Sequence, residues 1–241
     1  MSIVRLMCGR FTYLFKWKQL LKLLELTSWP EVELVPRFNV APMQLAPVVR
    51  VDDAGERVGA MLRWGLVPSW ADDPAIGGRL INARGETIAE KPAFRTAFAK
   101  RRCLVPISGF YEWKTSELPK AAKQPYWIGR ADREPFMLAG VWERWRRDEE
   151  VIDSFTIITT TPNPLMSGLH DRMPVIIESA NHGAWLDPSN TDPAGLAAML
   201  RPAETVGFEA YPVSTRVNSP KIDDPSLIVP VDVQPQGLFG Q

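Results

Sequence analysis

Residues 103–114 read CLVPISGFYEWK and contain two strand-like runs, CLVPI and GFYEWK. Short apolar runs rich in β-branched and aromatic residues are typical of buried strands. Four more such runs, PYWIG, FMLAGVW, FTIITT and MPVIIE, begin at residues 125, 136, 155 and 173. Together these runs dominate the middle of the chain and predict a sheet of mainly antiparallel strands.

Helices and a hairpin are predicted on either side of these strands. Residues 15–26, FKWKQLLKLLEL, place leucines on one face and lysines on the other, which indicates an amphipathic helix. The turn-forming segment DDAGER predicts a hairpin over residues 47–64. Further helices are predicted after Pro92, near Ser179 and at Pro193. Either Thr191 or Asp192 can cap the last of them.

The distribution of prolines and glycines indicates one domain. The 22 prolines are scattered, no repeat period is present, and no Gly/Ser-rich linker divides the chain. An apolar fraction of 45%, with nine tryptophans and ten phenylalanines, is ample for a single core. The sequence therefore predicts a single compact, β-rich domain of the α+β class with peripheral helices.

The charge balance gives no global argument for a polyanionic partner, because 28 basic residues face 28 acidic ones. A local excess exists, however: residues 79–102 contain seven basic and two acidic residues. Such a run is often a solvated face, but it can also contact phosphates. A basic surface in this interval is therefore one hypothesis.

The sequence gives no sign of a structural disulfide, a metal or cofactor site, or a membrane span. Only two cysteines are present, Cys8 and Cys103, so a structural disulfide is not expected, and neither Cys nor His has zinc-type spacing. The sequence has no phosphate-binding glycine loop and no dinucleotide fingerprint, so we predict neither metal nor cofactor. With no signal peptide and no stretch of eighteen apolar residues, a cytoplasmic protein is predicted.

Eight segments follow one another in a distinctive order: MCGRF, RFNVAP, RWGLVPSW, INARGET, CLVPISGFYEWK, QPYWI, LAGVWE and LHDRMPVII. Together they resemble the SOS response-associated peptidase family, also called the SRAP domain. The resemblance implies an SRAP domain over residues 8–230 with a barrel-like sheet and a positively charged cleft. Residues 1–7 would be a leader that is absent from the active form, and residues 231–241 a C-terminal tail.

The function implied by this resemblance is covalent capture of damaged DNA. Members of the family sense abasic sites in single-stranded DNA and link themselves to those sites through an N-terminal cysteine. The implied partner is therefore single-stranded DNA that contains abasic sites, within the SOS response and DNA repair. We expect a monomer that needs no cofactor.

Cys8 has two readings. Most free cysteines are small buried hydrophobic residues. As the first residue, however, Cys8 would carry a thiol and an α-amine whose ordinary pKa near 8 leaves much of it reactive at neutral pH. The amine can form a Schiff base with the sugar aldehyde, and the thiol can close a thiazolidine ring. The chain would begin at Cys8 by initiation at Met7, or after Cys8 attacks the carbonyl of Met7.

Three other residues are implied to be catalytic. Strand alternation places Glu112 on the same face as Phe110, where a carboxyl is either a paired charge or a tuned acid/base. By resemblance it moves protons during capture. A lone histidine in a loop is usually a hydrogen-bonded surface residue, but the family resemblance implies that His170 is catalytic. His182 matches no motif and is predicted to face solvent on a helix. Asparagine is most often a turn residue, but the family resemblance implies that Asn82 orients the amine of Cys8.

DNA contacts are predicted within the matching motifs. Arginine suits phosphates, and an exposed tryptophan can stack on an unpaired base. Two weaker candidates shape the wall of the cleft. The predicted DNA-binding residues are Arg10, Asn39, Trp70, Arg84 and Arg172, with Pro42 and Thr159 in the wall.

Two other functions remain open at this stage. One is a cysteine peptidase with Cys8 as nucleophile, His170 as base and Asn82 or Glu112 as the orienting group. Removal of its own leader, a peptidase-type activity, and lyase activity on DNA are expected of the crosslinking protein itself. The other is a module that binds single-stranded DNA without a covalent step.

Overall fold

The computed structural model describes residues 8–114, 122–204 and 206–233. The predicted leader, residues 1–7, and most of the predicted tail, residues 234–241, lie outside the described residues. The strands are β1 Phe11–Tyr13, β2 Arg37–Val40, β3 Leu45–Val51, β4 Arg57–Trp64, β5 Asn82–Arg84, β6 Arg102–Ile107, β7 Gly109–Lys114, β8 Gln124–Arg130, β9 Phe136–Arg147, β10 Glu150–Thr160, β11 Met173–Pro174, β12 Ile176–Ile177 and β13 Phe208–Pro212. The α-helices are α1 Trp17–Leu24, α2 Arg95–Lys100, α3 Pro164–Ser167, α4 His182–Leu186 and α5 Pro193–Met199.

Five strands close a barrel. Strands β10, β4, β3, β6 and β9 pair in that order, and β9 pairs again with β10. Strand β10 also carries β5 and β11, while β12 pairs with β9. Among the strands of the described residues, only the pairings of β10 with β4 and β5 are parallel. The α+β class and the barrel-like, mainly antiparallel sheet predicted from the sequence are confirmed.

A second sheet lies beside the barrel, with strand order β13-β8-β7-β1-β2. Gly109 of β7 and Gly129 of β8 are paired, and the fully buried Trp127 ring fills the space over both. A Cβ atom on Gly109 would lie 2.3 Å from that ring, so only glycine fits there. This packing fixes the start of β7, the strand that contains Glu112.

Helices α1, α2, α4 and α5 lie where the sequence predicts helices, whereas the four-residue α3 was not predicted. Helix α1 buries Trp17, Leu20 and Leu24 and exposes lysines on its other face. The side chain of Asp192 accepts hydrogen bonds from the first turn of α5, which confirms the predicted cap. No helix among the described residues is long and apolar enough to cross a membrane.

Two polar residues are more buried than the sequence suggests. The prediction that His182 faces solvent is wrong: it is 8% exposed, and its ring Nε2 lies 3.1 Å from the Ile177 carbonyl oxygen. Helix α4 has five residues and packs against β6, so almost no face is left for solvent. Arg102, in the basic interval, is also buried and donates to backbone carbonyls that include Trp185 O. The basic interval is therefore not a uniform surface.

Candidate functional site

Cys8 reaches Glu112 because β1 pairs antiparallel with β7. Phe11 is opposite Phe110, and the Tyr111 nitrogen donates to the Arg10 carbonyl. The chain before β1 therefore continues along β7 toward Glu112. There the backbone nitrogen of Cys8 donates to Glu112 Oε1 at 2.7 Å. Cys8 has a φ of 39°, in the left-handed region that is uncommon for residues other than glycine, and such outliers concentrate at functional sites.

Burial controls the protonation of both side chains. Each is 1% exposed. Loss of hydration raises the pKa of Glu112 to about 8, against the opposing effect of the Cys8 hydrogen bond. Burial and the nearby Glu112 carboxyl hold the pKa of the Cys8 thiol well above its ordinary value. At neutral pH the Glu112 carboxyl is therefore largely protonated, and the Cys8 thiol is neutral.

The segment that contains His170 connects α3 to β11. The ring Nδ1 of His170 lies 2.8 Å from Asp171 Oδ1 and 3.2 Å from the backbone nitrogen of Arg172. The negative charge of Asp171 also contributes to the raised pKa of Glu112, so this segment lies within electrostatic reach of the buried carboxyl. Asp171, the neighbour of His170 in the sequence, is therefore close enough to affect the protonation of Glu112, and the catalytic role of His170 stays a prediction.

Asn82 and Arg84 lie at the two ends of β5. Their strand pairs parallel with β10, so that Arg84 is opposite Thr159. Asn82 is half-buried and Arg84 exposed. Because residues two apart share a face of a strand, both side chains lie on the same side of β5, as predicted. The role of Asn82 in orienting Cys8 stays a prediction.

Arg172 and Thr159 form a polar cluster next to Arg84. One terminal nitrogen of Arg172 donates to Thr159 O at 2.7 Å, and lies 3.3 Å from Thr159 Oγ1. Both terminal nitrogens also bind the Glu86 carboxylate in a forked geometry. Thr159 itself is fully buried, so its side chain is not open to a DNA strand. Its place in the cleft wall stays a prediction.

Trp70 lies on an anchored loop. Val67 nitrogen donates to Ser154 Oγ at 2.8 Å, and the Trp145 ring nitrogen donates to Ala71 O at 2.7 Å. Between these anchors Trp70 is 61% exposed, as predicted. Pro42 is half-buried in the turn between β2 and β3. Their contacts with DNA stay predictions.

The DNA contact predicted for Asn39 is wrong for this structure, because the side chain is fully buried. Its amide nitrogen donates to the carbonyls of Val217, Ser219 and Ile222, and its Oδ1 accepts from Arg10. Arg10 also donates to Val217 O at 2.7 Å. The two residues therefore fasten the 217–222 segment, and a phosphate contact by Arg10 would compete with these internal bonds.

Two acidic residues of the site were not predicted. Glu86 lies four residues after Asn82, and Asp171 directly follows His170. Both lie within matching motifs, Asp171 between His170 and Arg172 and Glu86 two residues after Arg84, which was the available signal. Among the described residues, no group of three His, Cys, Asp or Glu side chains could hold a metal ion.

Comparisons with known proteins relate this chain to one family. The family model described as SOS response associated peptidase (SRAP) matches residues 7–220. The chain is 44% identical to "Abasic site processing protein YoqW" of Bacillus subtilis over 92% of this chain and 99% of that protein. It is 32% identical to "Abasic site processing protein HMCES" of Pongo abelii over 82% of this chain and 66% of that protein.

Solved structures show the same fold. A crystal structure of a protein from Bacteroides thetaiotaomicron aligns with a TM-score of 0.71 and 31% identity, covering 80% of this chain and 85% of that one. A phage-related protein from Bordetella bronchiseptica aligns with a TM-score of 0.67 and 31% identity, covering 86% of this chain and 94% of that one.

Proposed function

This chain belongs to the SOS response-associated peptidase family, and on that premise we propose that it captures abasic sites in single-stranded DNA through a covalent bond to Cys8. The observation that carries the proposal is the 2.7 Å contact between the Cys8 nitrogen and Glu112 Oε1. It places a carboxyl with a pKa raised to about 8 at the nitrogen that would attack the sugar. An acid/base group works best when its pKa lies near the working pH.

The first bond would form at the Cys8 nitrogen. Release of Cys8 from residue 7 leaves an α-amine there, and Glu112 can take the extra proton of its ammonium form. The free amine attacks C1′ of the open-chain sugar aldehyde. Glu112 then returns a proton as the carbinolamine loses water and becomes a Schiff base. A cation at this nitrogen lowers the pKa of Glu112, so the carboxyl is ionised and available to accept that proton.

The thiol would complete the capture. The sulfur of Cys8 bonds to the imine carbon, its proton goes to the nitrogen, and a five-membered thiazolidine closes. No oxidant or reductant is consumed. His170 would accept and return the thiol proton, and Asn82 would orient the amine. Ring closure removes the imine from which a lyase would cleave the strand, so lyase activity would compete with capture.

Removal of the leader is a further part of the proposal. While residue 7 is attached, the Cys8 nitrogen is an amide whose lone pair is delocalised, so it cannot form a Schiff base. Initiation at Met7 would avoid the leader. Alternatively, Cys8 sulfur attacks the Met7 carbonyl carbon, the C–N bond breaks, the nitrogen takes a proton, and water hydrolyses the resulting thioester. Glu112 lies where it could supply that proton.

DNA would be held by Arg84, Arg172 and Trp70. The two arginines lie beside each other at the β5–β10 edge, and Trp70 is exposed on its anchored loop. Arginine forks bind phosphates, and exposed aromatic rings stack on unpaired bases. These contacts are sequence-tolerant, which suits recognition of a lesion that has no base.

The test is incubation with a single-stranded oligonucleotide that contains one abasic site. Protein expressed from Met1 and from Met7 should give a band that resists denaturation, and intact mass should show Cys8 as the first residue. Cys8→Ser should give no such band while it still binds the strand. A stable crosslink in Cys8→Ser, or a crosslink by protein that retains residues 1–7, would contradict the mechanism.

The same experiment separates the alternatives. A binding module without a covalent step would give only salt-sensitive binding. A peptidase would have to cleave protein substrates other than its own leader. The burial of Cys8 and the raised pKa of its thiol do not favour that reading, because a thiolate accessible to protein chains is what such an enzyme needs.

A further inference from the structure

The phosphate-binding face of Arg172 is already filled by a side chain of the same protein. One terminal nitrogen donates to Glu86 Oε1, and the other donates to Glu86 Oε2 at 2.7 Å. Carboxylates and phosphates are bound by arginine in the same forked geometry. The Glu86 carboxylate therefore lies on the face of Arg172 that a DNA phosphate would use.

The accessibility of the two partners differs. The Arg172 side chain is 12% exposed and is held by Thr159, whereas the Glu86 side chain is 46% exposed. Glu86 can therefore turn toward solvent without disturbing the core, while Arg172 remains in place. Hydrogen bonds and charge from Arg172, with a smaller effect from Arg84, also lower the pKa of Glu86. Glu86 thus remains an anion between two cations.

We propose that Glu86 is an internal carboxylate ligand of Arg172 that is exchanged for a backbone phosphate when a DNA strand binds, so that Glu86 sets the affinity and the anion selectivity of the site. This inference rests on the proposed function. A tethered carboxylate competes at a high effective concentration, so a small free anion displaces it poorly. A strand that is held by several contacts at once can displace it.

The experiment uses the full chain with Cys8→Ser, so that only non-covalent binding is measured. Binding of a fluorescent single-stranded oligonucleotide is followed by anisotropy over a range of salt concentrations. Glu86→Gln should bind about threefold to tenfold more tightly at low salt, because one charged competitor is removed. The slope of log affinity against log salt should become steeper by about one. Inorganic phosphate should compete with DNA more effectively in this variant, and Glu86→Ala should behave likewise.

Two comparisons exclude a simple effect of net charge. Glu90 is exposed in the same segment, and Glu90→Gln removes the same charge without touching Arg172. We expect less than a twofold change in its affinity. In an Arg172→Ala background, Glu86→Gln should no longer strengthen binding, because the contested face is gone.

Several results would overturn the inference. An equal gain in Glu90→Gln, or a gain that persists without Arg172, would show a general charge effect. Weaker binding in Glu86→Gln and Glu86→Ala would show that Glu86 only positions Arg172. Unchanged affinity and salt slope in both would show that Glu86 does not compete. If the Cys8→Ser parent does not bind the oligonucleotide at all, the proposed function itself fails.

Discussion

Asp171 Oδ1 lies 2.8 Å from Nδ1 of His170, on a ring nitrogen that the Arg172 backbone N–H also approaches. These two contacts exclude each other in the neutral ring, because Nδ1 either donates to the carboxylate or accepts from the amide. The carboxylate favours the tautomer with hydrogen on Nδ1, in which Nε2 is the basic ring nitrogen. Asp171 is therefore a candidate positioning residue.

We expect Asp171→Asn to slow crosslinking by up to about fivefold at neutral pH, a modest effect because the Asp171 side chain is 70% exposed. The variant should also lower the pKa of Glu112, because a like charge is removed. The pH dependence of the crosslinking rate should therefore shift to lower pH. The measurement is the initial crosslinking rate from pH 5 to 9. Asp53→Asn, in the exposed β3–β4 turn, is the control. An unshifted profile would exclude the positioning role.

Glu112 should make the stability of the full chain depend on pH. Its pKa is raised from an ordinary 4.5 to about 8, so the folded state binds a proton that the unfolded state has lost. The stabilising effect is fully present below pH 4.5 and is lost as pH rises through 8, by up to about 1.4 kcal/mol per pH unit.

The measurement is urea unfolding from pH 4 to 9 of Cys8→Ser protein with and without Glu112→Gln. The serine removes the thiol titration, and protein expressed from Met1 keeps the backbone nitrogen of residue 8 as an amide. The free energy of unfolding should fall with pH more steeply in the protein that retains Glu112. Parallel curves would show that the carboxyl is not held in its protonated form.

Trp70→Ala should weaken binding of single-stranded DNA by about 1 to 3 kcal/mol, if the ring stacks on a base. The melting temperature should change little, because the side chain is 61% exposed. Trp29→Ala is a matched control, because the Trp29 ring is also exposed, at 42%, but lies near the start of β4. The loop that contains Trp70 follows the other end of β4. A loss of stability with normal affinity would assign Trp70 to packing.

Asn39→Ala should lower the free energy of unfolding by about 3 kcal/mol, because buried hydrogen-bonding groups lose their partner. Asn218→Ala is the control, since the exposed Asn218 only accepts one hydrogen bond from the Trp113 ring nitrogen. We expect a loss below about 1 kcal/mol there. Thermal or urea unfolding distinguishes the two. Equal losses would contradict a special role for Asn39 in fastening the 217–222 segment.

The longer strands could be predicted from the sequence because their apolar runs exceed a few residues. The run at residues 173–178 was predicted as one strand, yet it forms two, β11 and β12. Between them, Val175 donates to Ile158 O and accepts from the Ala139 nitrogen, so the chain changes partner from β10 to β9. No local pattern encodes such an exchange. Strands β1 and β5 have three residues each, too few to show a period.

The motifs could predict which residue types belong to the site, but not which of them are buried. Asn39 is fixed by carbonyl groups 178 to 183 residues further along the chain. His182 is buried because a short helix packs closely on the barrel. Glu86 resembles an ordinary surface charge until the fold places it beside Arg172, 86 residues further along the chain. Long-range contacts decide each of these cases.

The length of β10 offers an attachment point for a reporter. Its first residue, Glu150, follows the turn at Asp148, whereas Thr159 lies near its other end. At about 3.3 Å per residue, nine steps along an extended strand separate these points by roughly 30 Å. Exposed loop tips are the sites where insertions are best tolerated. A fluorophore inserted at this turn would lie far from Thr159 but close to the Trp70 loop, because Arg147 donates to the Asp72 carbonyl. It should therefore report on a strand that reaches Trp70.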